Sequence, residues 1–194
     1  HQWSSRLLIH SLNGFQSSNW AVRNSSMMLY ANLLKHSVGS KVVTVDGSSH
    51  NRVTSVQFFS RLPTLLDYVV NQLSAYGVSG EVEAAGRAAE AKDTSRSVMF
   101  PLLMLLSRLR PPSFREERED TVSSSEILSR LLLDTTLRDI HHGARVMAAR
   151  AISNLTPATA WMNTLQEVLT RLNGSLNASG RSTNEIHGLL LAAR

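Results

Sequence analysis

The stretch NWAVRNSSMMLYANLLKHSVG, residues 19–39, decides the fold class. At 100° per residue, its apolar residues form two stripes on opposite sides of a helix. The first stripe, within about 40° of its first member, consists of Trp20, Met27, Ala31, Leu34 and Val38. The second consists of Val22, Leu29 and Leu33. A helix that is apolar on two sides has to lie between layers of other helices, which is typical of stacked helical pairs.

Two polar residues interrupt the first stripe. Arg23 lies about 60° to one side of it and Asn24 about 40° to the other. An unpaired buried guanidinium is very costly, so we expect Arg23 to bond to carbonyls or to a carboxylate of a neighbouring helix. Two interpretations stay open: a structural clamp between helical pairs, formed by Trp20, Arg23 and Asn24, or an arginine at a ligand or partner surface. The clamp is the favoured interpretation.

Helical periodicity dominates the rest of the chain, and KVVTV at 41–45 is the sole strand-like run. Asn19 is a candidate N-cap, SSSE at 123–126 resembles a capping box that opens a helix, and Pro63 is expected to kink or divide its helix. The predicted helices cover residues 3–15, 19–38, 56–76, 95–109, 124–139, 143–155, 157–172 and 184–193. About eight helices and no sheet predict an all-α fold.

The chain of 194 residues fits one domain or a contiguous piece of a larger one. It starts at His1 rather than at a methionine, which suggests a segment of a longer protein. Three connections are long and rich in Ser, Gly and charged residues, and we expect them to be flexible loops: 40–55, 77–95 and 111–122.

Composition and motifs exclude several classes of function. The absence of cysteine excludes disulfides, thiolate zinc sites and a cysteine nucleophile, and it fits a reducing compartment. No apolar run is long enough for a transmembrane segment. The usual phosphate, dinucleotide, metalloprotease and serine-hydrolase motifs are missing. His141 and His142 are adjacent, without metal-ligand spacing, so we expect a turn rather than a metal site. The sequence predicts no catalytic residue and no metal ligand.

The net charge of +5 is spread unevenly. Residues 1–78 hold six basic and two acidic residues, residues 79–135 hold eight and ten, and residues 136–194 hold six and three. Basic ends are compatible with a polyanionic partner, although moderately basic domains are more often simply soluble.

Small residues and arginines alternate in GARVMAARAISNL, residues 143–155. The alanines at 144, 148 and 151 share one face with Leu155, which predicts close packing against another helix. Arg145 and Arg150 lie elsewhere on the circumference. With Lys35, they are our candidates for contacts with RNA or with a partner protein, and the alternative is that they are merely solvated.

Five segments together resemble a region of the thyroid adenoma-associated protein (THADA) family. They are WAVRNSSMMLYANLLKHSVG at 20–39, FFSRLPTLLDYVV at 58–70, MFPLLMLLSRLRP at 99–111, HHGARVMAARAISNL at 141–155 and NEIHGLLL at 184–191. The likeness covers nearly the whole chain. It implies that residues 1–194 form a single interior segment of a very large armadillo/HEAT-type helical solenoid.

The resemblance also implies a function. The family's fungal members are regulatory subunits of a tRNA ribose 2′-O-methyltransferase that modifies position 32 in the anticodon loop. We therefore expect a cytoplasmic, non-catalytic protein that binds the methyltransferase catalytic subunit and tRNA. S-adenosylmethionine would be bound by the partner enzyme, and no cofactor is expected on this chain. In agreement, the sequence offers no sheet for such a cofactor and only the lysines Lys35, Lys41 and Lys92.

Two alternatives stay open. The first is an interaction scaffold for proteins only, for example one that regulates a calcium pump of the endoplasmic reticulum. The second is an autonomous all-α enzyme, which would require a convergent polar pocket that the sequence does not indicate. Salt dependence separates RNA binding from apolar protein binding, because phosphate contacts weaken steeply as salt is added.

Overall fold

The computed structural model describes residues 2–38, 53–81, 89–112, 116, 119–135, 137–139, 141–177 and 183–193. Nine helices lie in these residues: α1 Gln2–Gly14, α2 Trp20–Val38, α3 Ser55–Arg61, α4 Pro63–Glu81, α5 Ala89–Leu106, α6 Glu119–Thr135, α7 His142–Leu155, α8 Trp161–Asn177 and α9 Thr183–Ala193. Their only strand-like pairing is one isolated parallel bridge between Thr54 and Arg110. The predicted all-α class is confirmed, while KVVTV at 41–45 lies outside the described residues.

Local signals placed some helix ends correctly. The predicted division at Pro63 is confirmed, because α3 ends at Arg61 and α4 begins with the proline, which needs no N–H donor in a first turn. This division turns the predicted eight helices into nine. Asn19 caps α2 as predicted: its Oδ1 accepts a hydrogen bond of 2.9 Å from the amide of Ala21.

Other predicted helix ends were wrong. The SSSE run lies inside α6, which begins four residues earlier at Glu119, so it is not a capping box. Pro157 precedes α8 rather than opening it, and α8 begins at Trp161. Helices α4 and α5 extend to Glu81 and from Ala89, into the connection predicted at 77–95. Local capping patterns in the sequence therefore did not determine where these helices begin or end. The flexibility of the three loops and the single-domain organisation remain predictions.

The core is centred on α5 and α7. Four leucines of α5 are at most 1% exposed, on both sides of the helix: Leu102, Leu103, Leu105 and Leu106. The predicted small face of α7 is also confirmed, since Ala148, Ala151 and Leu155 are fully buried and Ala144 is nearly so. Helix α7 packs against α5, α6 and α9, which the short alanine side chains permit. It is therefore the central helix of the described part of the chain.

Helix α2 packs mainly on α1 instead of lying between two layers. Its buried residues are Tyr30, Leu34 and Val38. A Cβ atom added to Gly14 of α1 would lie 1.9 Å from Ser26 Oγ, which indicates how closely the two helices approach. In contrast, Trp20 is 69% exposed and Met27 51%. The prediction that both apolar stripes of α2 are covered is therefore wrong for the described residues, because α1 covers only one flank.

Helix α9 comes into backbone contact with the connection between α6 and α7. A Cβ atom added to Gly188 would lie 2.1 Å from the carbonyl oxygen of Leu137. Any side chain there would collide with main-chain atoms that cannot turn aside. Among the helices described, none combines the length and the apolar content needed to cross a membrane.

Candidate functional site

An apolar groove lies between α2 and α5. Its volume is about 700 Å³, within the range of about 300–1,000 Å³ of small-ligand pockets. Seven of its ten lining residues are apolar: Phe15, Met27, Ala31, Leu34, Phe100, Pro101 and Met104. The other three are Tyr30, Lys35 and Arg108. Part of the stripe that the sequence placed in a covered core thus forms the wall of an open groove.

Tyr30 joins the two walls of the groove. Its hydroxyl donates a hydrogen bond of 2.5 Å to the carbonyl oxygen of Pro101, 71 residues further along the chain. Its ring meets Phe15 edge-on, with the centroids 5.7 Å apart. Burial raises the pKa of Tyr30 far above its ordinary value, and the nearby positive charge of Arg108 offsets this only in part. The hydroxyl therefore stays protonated and keeps donating.

Two cations belong to the lining. Lys35 is exposed and Arg108 is half-buried, and the Arg108 Nη2 atom lies 3.9 Å from the sulfur of Met104. Within the described residues, neither side chain forms an ion pair with a carboxylate. Of our three RNA or partner candidates, Lys35 is the one that contributes to this groove.

Arg145 occupies a different place from the one the sequence suggested. Its side chain is buried, with the residue only 7% exposed. It donates to the carbonyl oxygen of Asp139, to Asn184 Oδ1 at 3.1 Å and to His187 Nδ1 at 3.1 Å. The prediction of Arg145 as an RNA or partner contact is therefore corrected: its guanidinium connects α7 to α9 and is not available to an external phosphate.

Asp139 extends this polar cluster to α4. Its buried carboxylate accepts hydrogen bonds from the Tyr76 hydroxyl and from the backbone amide of His141, the latter at 2.7 Å. The ring of His142 lies 5.1 Å from that of His187. His141 is the residue before α7, but His142 is the first residue of the helix, so the predicted turn does not contain both. The two histidines belong to a structural network that joins α4, α7 and α9.

Arg150, the third candidate, is exposed on α7. It remains available to a polyanion or an acidic partner, and its role as a contact stays a prediction. It is not part of the groove, so the structure does not bring the three candidates together in one site.

The clamp candidates lie at the start of α2. Arg23 donates through Nη1 to the carbonyl oxygens of Ser17 and Ser18, at 2.6 and 2.9 Å. Its described bonds therefore stay within the α1–α2 turn, whereas we predicted a bond to a neighbouring helical pair. Asn24 is half-buried and Trp20 is largely exposed. Arg23 stabilises the entry into α2, and Trp20 does not fill a core in the described part.

Sequence reasoning missed the contribution of α5 to the groove. Phe100 is 44% exposed although it lies in a strongly apolar run. Phe100, Met104 and Arg108 are spaced by four residues and so share one side of the chain, a spacing that could have indicated an amphipathic edge. Among the residues described, no group of three His, Asp or Glu side chains is arranged to hold a metal ion.

Comparison with known proteins places the chain in one family. A family described as the C-terminal TPR repeats of Trm732 matches residues 23–194. A protein of Mus musculus named tRNA (32-2′-O)-methyltransferase regulator THADA is 34% identical over 181 residues, which is 92% of this chain and 9% of that protein. The corresponding protein of Canis lupus familiaris is 32% identical over 179 residues, with the same coverage.

A fungal relative gives the same result. The tRNA (32-2′-O)-methyltransferase regulator trm732 of Schizosaccharomyces pombe is 28% identical over 187 residues, which is 95% of this chain and 11% of that protein. The chain thus spans about a tenth of the length of these relatives. No solved structure matches it. The resemblance to the THADA family is confirmed, as is the helical-repeat class; the matched family is described by TPR repeats, and the armadillo/HEAT subtype stays a prediction.

Proposed function

The chain belongs to the family of Trm732 C-terminal TPR repeats, and from this premise we propose that it is a non-catalytic section of a regulator of tRNA ribose 2′-O-methylation at position 32. The regulator would act in the cytoplasm by binding the methyltransferase subunit and tRNA, with S-adenosylmethionine held by that subunit. One observation carries the proposal: relatives that match at least 92% of this chain are named regulators of this methyltransferase.

The structure supports a binding role in two ways. Large apolar side chains stay exposed on α2 and α5, and cations without carboxylate partners in the described residues lie beside them. Surfaces of this kind are typical of protein interaction sites. Lys35 and Arg150 stay our candidates for contact with RNA or with a partner protein, because both are exposed, and we exclude Arg145 because it is buried and bonded.

Reconstituted methylation tests the proposal. The full-length protein and its methyltransferase subunit are incubated together and separately with tRNA and S-adenosylmethionine, and ribose methylation at position 32 is mapped. We expect efficient methylation only when both proteins are present. Methyl transfer by the regulator alone would contradict its non-catalytic assignment, and equal transfer by the methyltransferase alone would contradict its regulatory role.

A double charge reversal, Lys35→Glu with Arg150→Glu, tests RNA contact. We expect the full-length variant to bind tRNA more weakly at low salt, with the salt slope reduced by about one for each phosphate contact removed. Arg6→Glu is the matched control, because Arg6 is exposed on α1 and is not among the candidates. Unchanged tRNA affinity in the double variant would exclude these two residues as RNA contacts.

A scaffold that binds only proteins is the second candidate, and the apolar groove favours it. Such a scaffold would bind the methyltransferase with little salt dependence and would not bind tRNA in its absence. Measuring tRNA binding by the full-length protein alone, at several salt concentrations, decides between the two.

A further inference from the structure

The two walls of the groove between α2 and α5 repeat one pattern. Met27, Ala31 and Lys35 line it from α2, and Phe100, Met104 and Arg108 line it from α5 and the residues that follow. Each set is spaced by four residues. The α2 wall thus extends over about 12 Å of helix, at about 1.5 Å per residue, and the second wall continues past the end of α5 at Leu106 to Arg108. Each wall carries two uncharged residues and one cation. A groove with this alternation on both walls fits a rod that is apolar on one side and charged on its edges.

The lining is adaptable and open to solvent. Met27 is 51% exposed and Phe100 is 44% exposed, while Leu34 and Tyr30 are buried beneath them. Methionine side chains adjust to differently shaped apolar partners, so the two methionines suit binding of leucine or phenylalanine side chains. An amphipathic helix that lays its apolar face into such a groove is a recurring mode of protein recognition.

Charge specifies the occupant further. The only charged residues among 2–38 are Arg6, Arg23 and Lys35, and this stretch has no Asp or Glu at all. With Arg108 on the opposite wall, an approaching chain meets positive charge on both sides of the groove and no carboxylate from α1 or α2. Like charges across an interface are strongly unfavourable, so the groove discriminates against a basic helix and favours an acidic one.

RNA is a poorer fit to the same surface. Binding of a single strand requires a basic track along the backbone together with exposed aromatic faces. Here two cations accompany seven apolar residues. Of the three aromatic rings in the lining only that of Phe100 is exposed, since those of Phe15 and Tyr30 pack edge-on against each other. The hydroxyl of Tyr30 is already bonded to Pro101 and is not free for a nucleotide.

We propose that the groove between α2 and α5 binds one acidic amphipathic helix of a partner protein, with the apolar face of that helix on Met27, Phe100 and Met104 and its carboxylates beside Lys35 and Arg108. This inference goes beyond the proposed function, because it specifies the chemistry of the bound segment and holds for whichever protein carries it.

Fluorescence anisotropy with a designed peptide tests the inference. The probe is a labelled helical peptide whose leucines recur at i, i+3, i+4 and i+7 and whose other positions are rich in Glu. A second peptide of the same length and apolar pattern carries Lys in place of Glu. We expect the full-length protein to bind the acidic peptide at least about ten-fold more tightly than the basic one. Equal binding, or tighter binding of the basic peptide, would overturn the proposal.

Variants of the full-length protein locate the binding site. Ala31 is exposed, so Ala31→Trp fills the groove without disturbing the core, and we expect a loss of at least about ten-fold in acidic-peptide affinity. Lys35→Glu should reduce it about five-fold, as reversal of an exposed charge does. Met28→Ala and Arg6→Glu are matched controls, exposed on α2 and α1 but outside the lining. Equal effects in variants and controls would place the peptide elsewhere and refute the proposal.

Each alternative occupant of the groove would give a different result in the peptide-binding assay. If wild-type protein does not bind the acidic peptide, another segment of the full-length chain already fills the groove, or nothing of this chemistry does, and the inference fails. Displacement of the peptide by an anticodon stem-loop would identify an RNA site and overturn it equally. Methylation assays on the same preparations separate this result from the proposed function. Full methylation without peptide binding would refute only the proposed binding of an acidic helix in the groove. Peptide binding without support of methylation would refute only the proposed regulatory role.

Discussion

Arg145 and Arg150 are five residues apart on α7, yet their environments are opposite. Arg145 is 7% exposed and bonds to Asn184 and His187, which follow it by 39 and 42 residues. Arg150 is exposed. The helical spacing indicated only that both lie off the alanine face, and it held no information about α9. Sequence reasoning therefore located the arginines on the helix correctly but could not tell a buried donor from a surface cation.

This difference predicts unequal costs of the same substitution. Arg145→Met keeps much of the side-chain volume but leaves a carbonyl, an amide and an imidazole without their donor, so we expect the free energy of unfolding to fall by about 2–4 kcal/mol. Arg150→Met should change it by less than about 0.5 kcal/mol. Urea denaturation followed by circular dichroism measures both. Equal effects would show that the bonds of Arg145 do not stabilise the fold.

The raised pKa of Tyr68 leads us to expect that the stability of the fold decreases at alkaline pH. Its hydroxyl donates to Asn13 Oδ1 at 2.7 Å, and burial raises the pKa of Tyr68 to about 12 from its ordinary value of 10.0. The folded state therefore favours the neutral phenol. The resulting stability is fully present below pH 10 and is lost as pH rises through about 12.

Thermal melting between pH 8 and pH 12 checks this dependence. We expect the melting temperature of the wild-type protein to fall over the upper part of this range, and the fall to be smaller in Tyr68→Phe, which cannot ionise. At neutral pH the variant should be slightly less stable, by about 1 kcal/mol, because it lacks the bond to Asn13. Parallel curves for the two proteins would contradict the assignment to Tyr68.

At the scale of helices, local sequence patterns predicted where a helix lies better than they predicted which other helices it packs against. The division at Pro63 and the alanine face of α7 followed from backbone geometry and side-chain size, which act within one helix. The burial of α2 depends on where α1 and α5 lie. The angular positions of the residues around α2 contain no information about the positions of those two helices. The same limit applies to the groove, whose second wall comes from a segment about 70 residues away.

The approach of α9 to the α6–α7 connection gives a prediction for two glycines. In Gly188→Ala the new methyl group would lie 2.1 Å from the carbonyl oxygen of Leu137, so α9 has to move and we expect a loss of more than about 2 kcal/mol. Gly174→Ala is the control: no atom lies within 4 Å of its Cβ position, and alanine favours a helix by about 1 kcal/mol. Chemical denaturation should show opposite signs for the two variants. A neutral Gly188→Ala would contradict the close contact.

For the whole molecule, the most exposed of the large apolar side chains that the structure describes lie on the first two and the last two helices. Trp3 and Trp20 are 75% and 69% exposed on α1 and α2, and Met162 and Leu190 are 71% and 54% exposed on α8 and α9. In a helical-repeat array each unit is covered by its neighbours, and a terminal unit needs a polar outer face to remain soluble. Large apolar side chains stand among the exposed polar ones on these faces, as they would where further repeats pack; that the chain is an interior segment stays a prediction.

We therefore expect the isolated chain to self-associate. Replacing Met28 and Met162 by lysine should shift sedimentation equilibrium toward the monomer, because it places charge on both apolar faces. The matched control replaces Asn32 and Asn163, which are exposed polar neighbours on the same helices, by lysine. If the control dissociates the assemblies equally well, net charge rather than the apolar faces governs association.

The missing side chain at Gly188 also affects geometry far from its own position. Because α9 rests on the main chain at Leu137 with no side chain between them, the distance between α9 and the α6–α7 connection is set by backbone atoms. In a long superhelix, a small change in spacing at one layer is multiplied along every later turn. If the chain lies within a longer superhelix, as we expect, this single residue helps to set the local curvature there, and with it the direction in which remote repeats point.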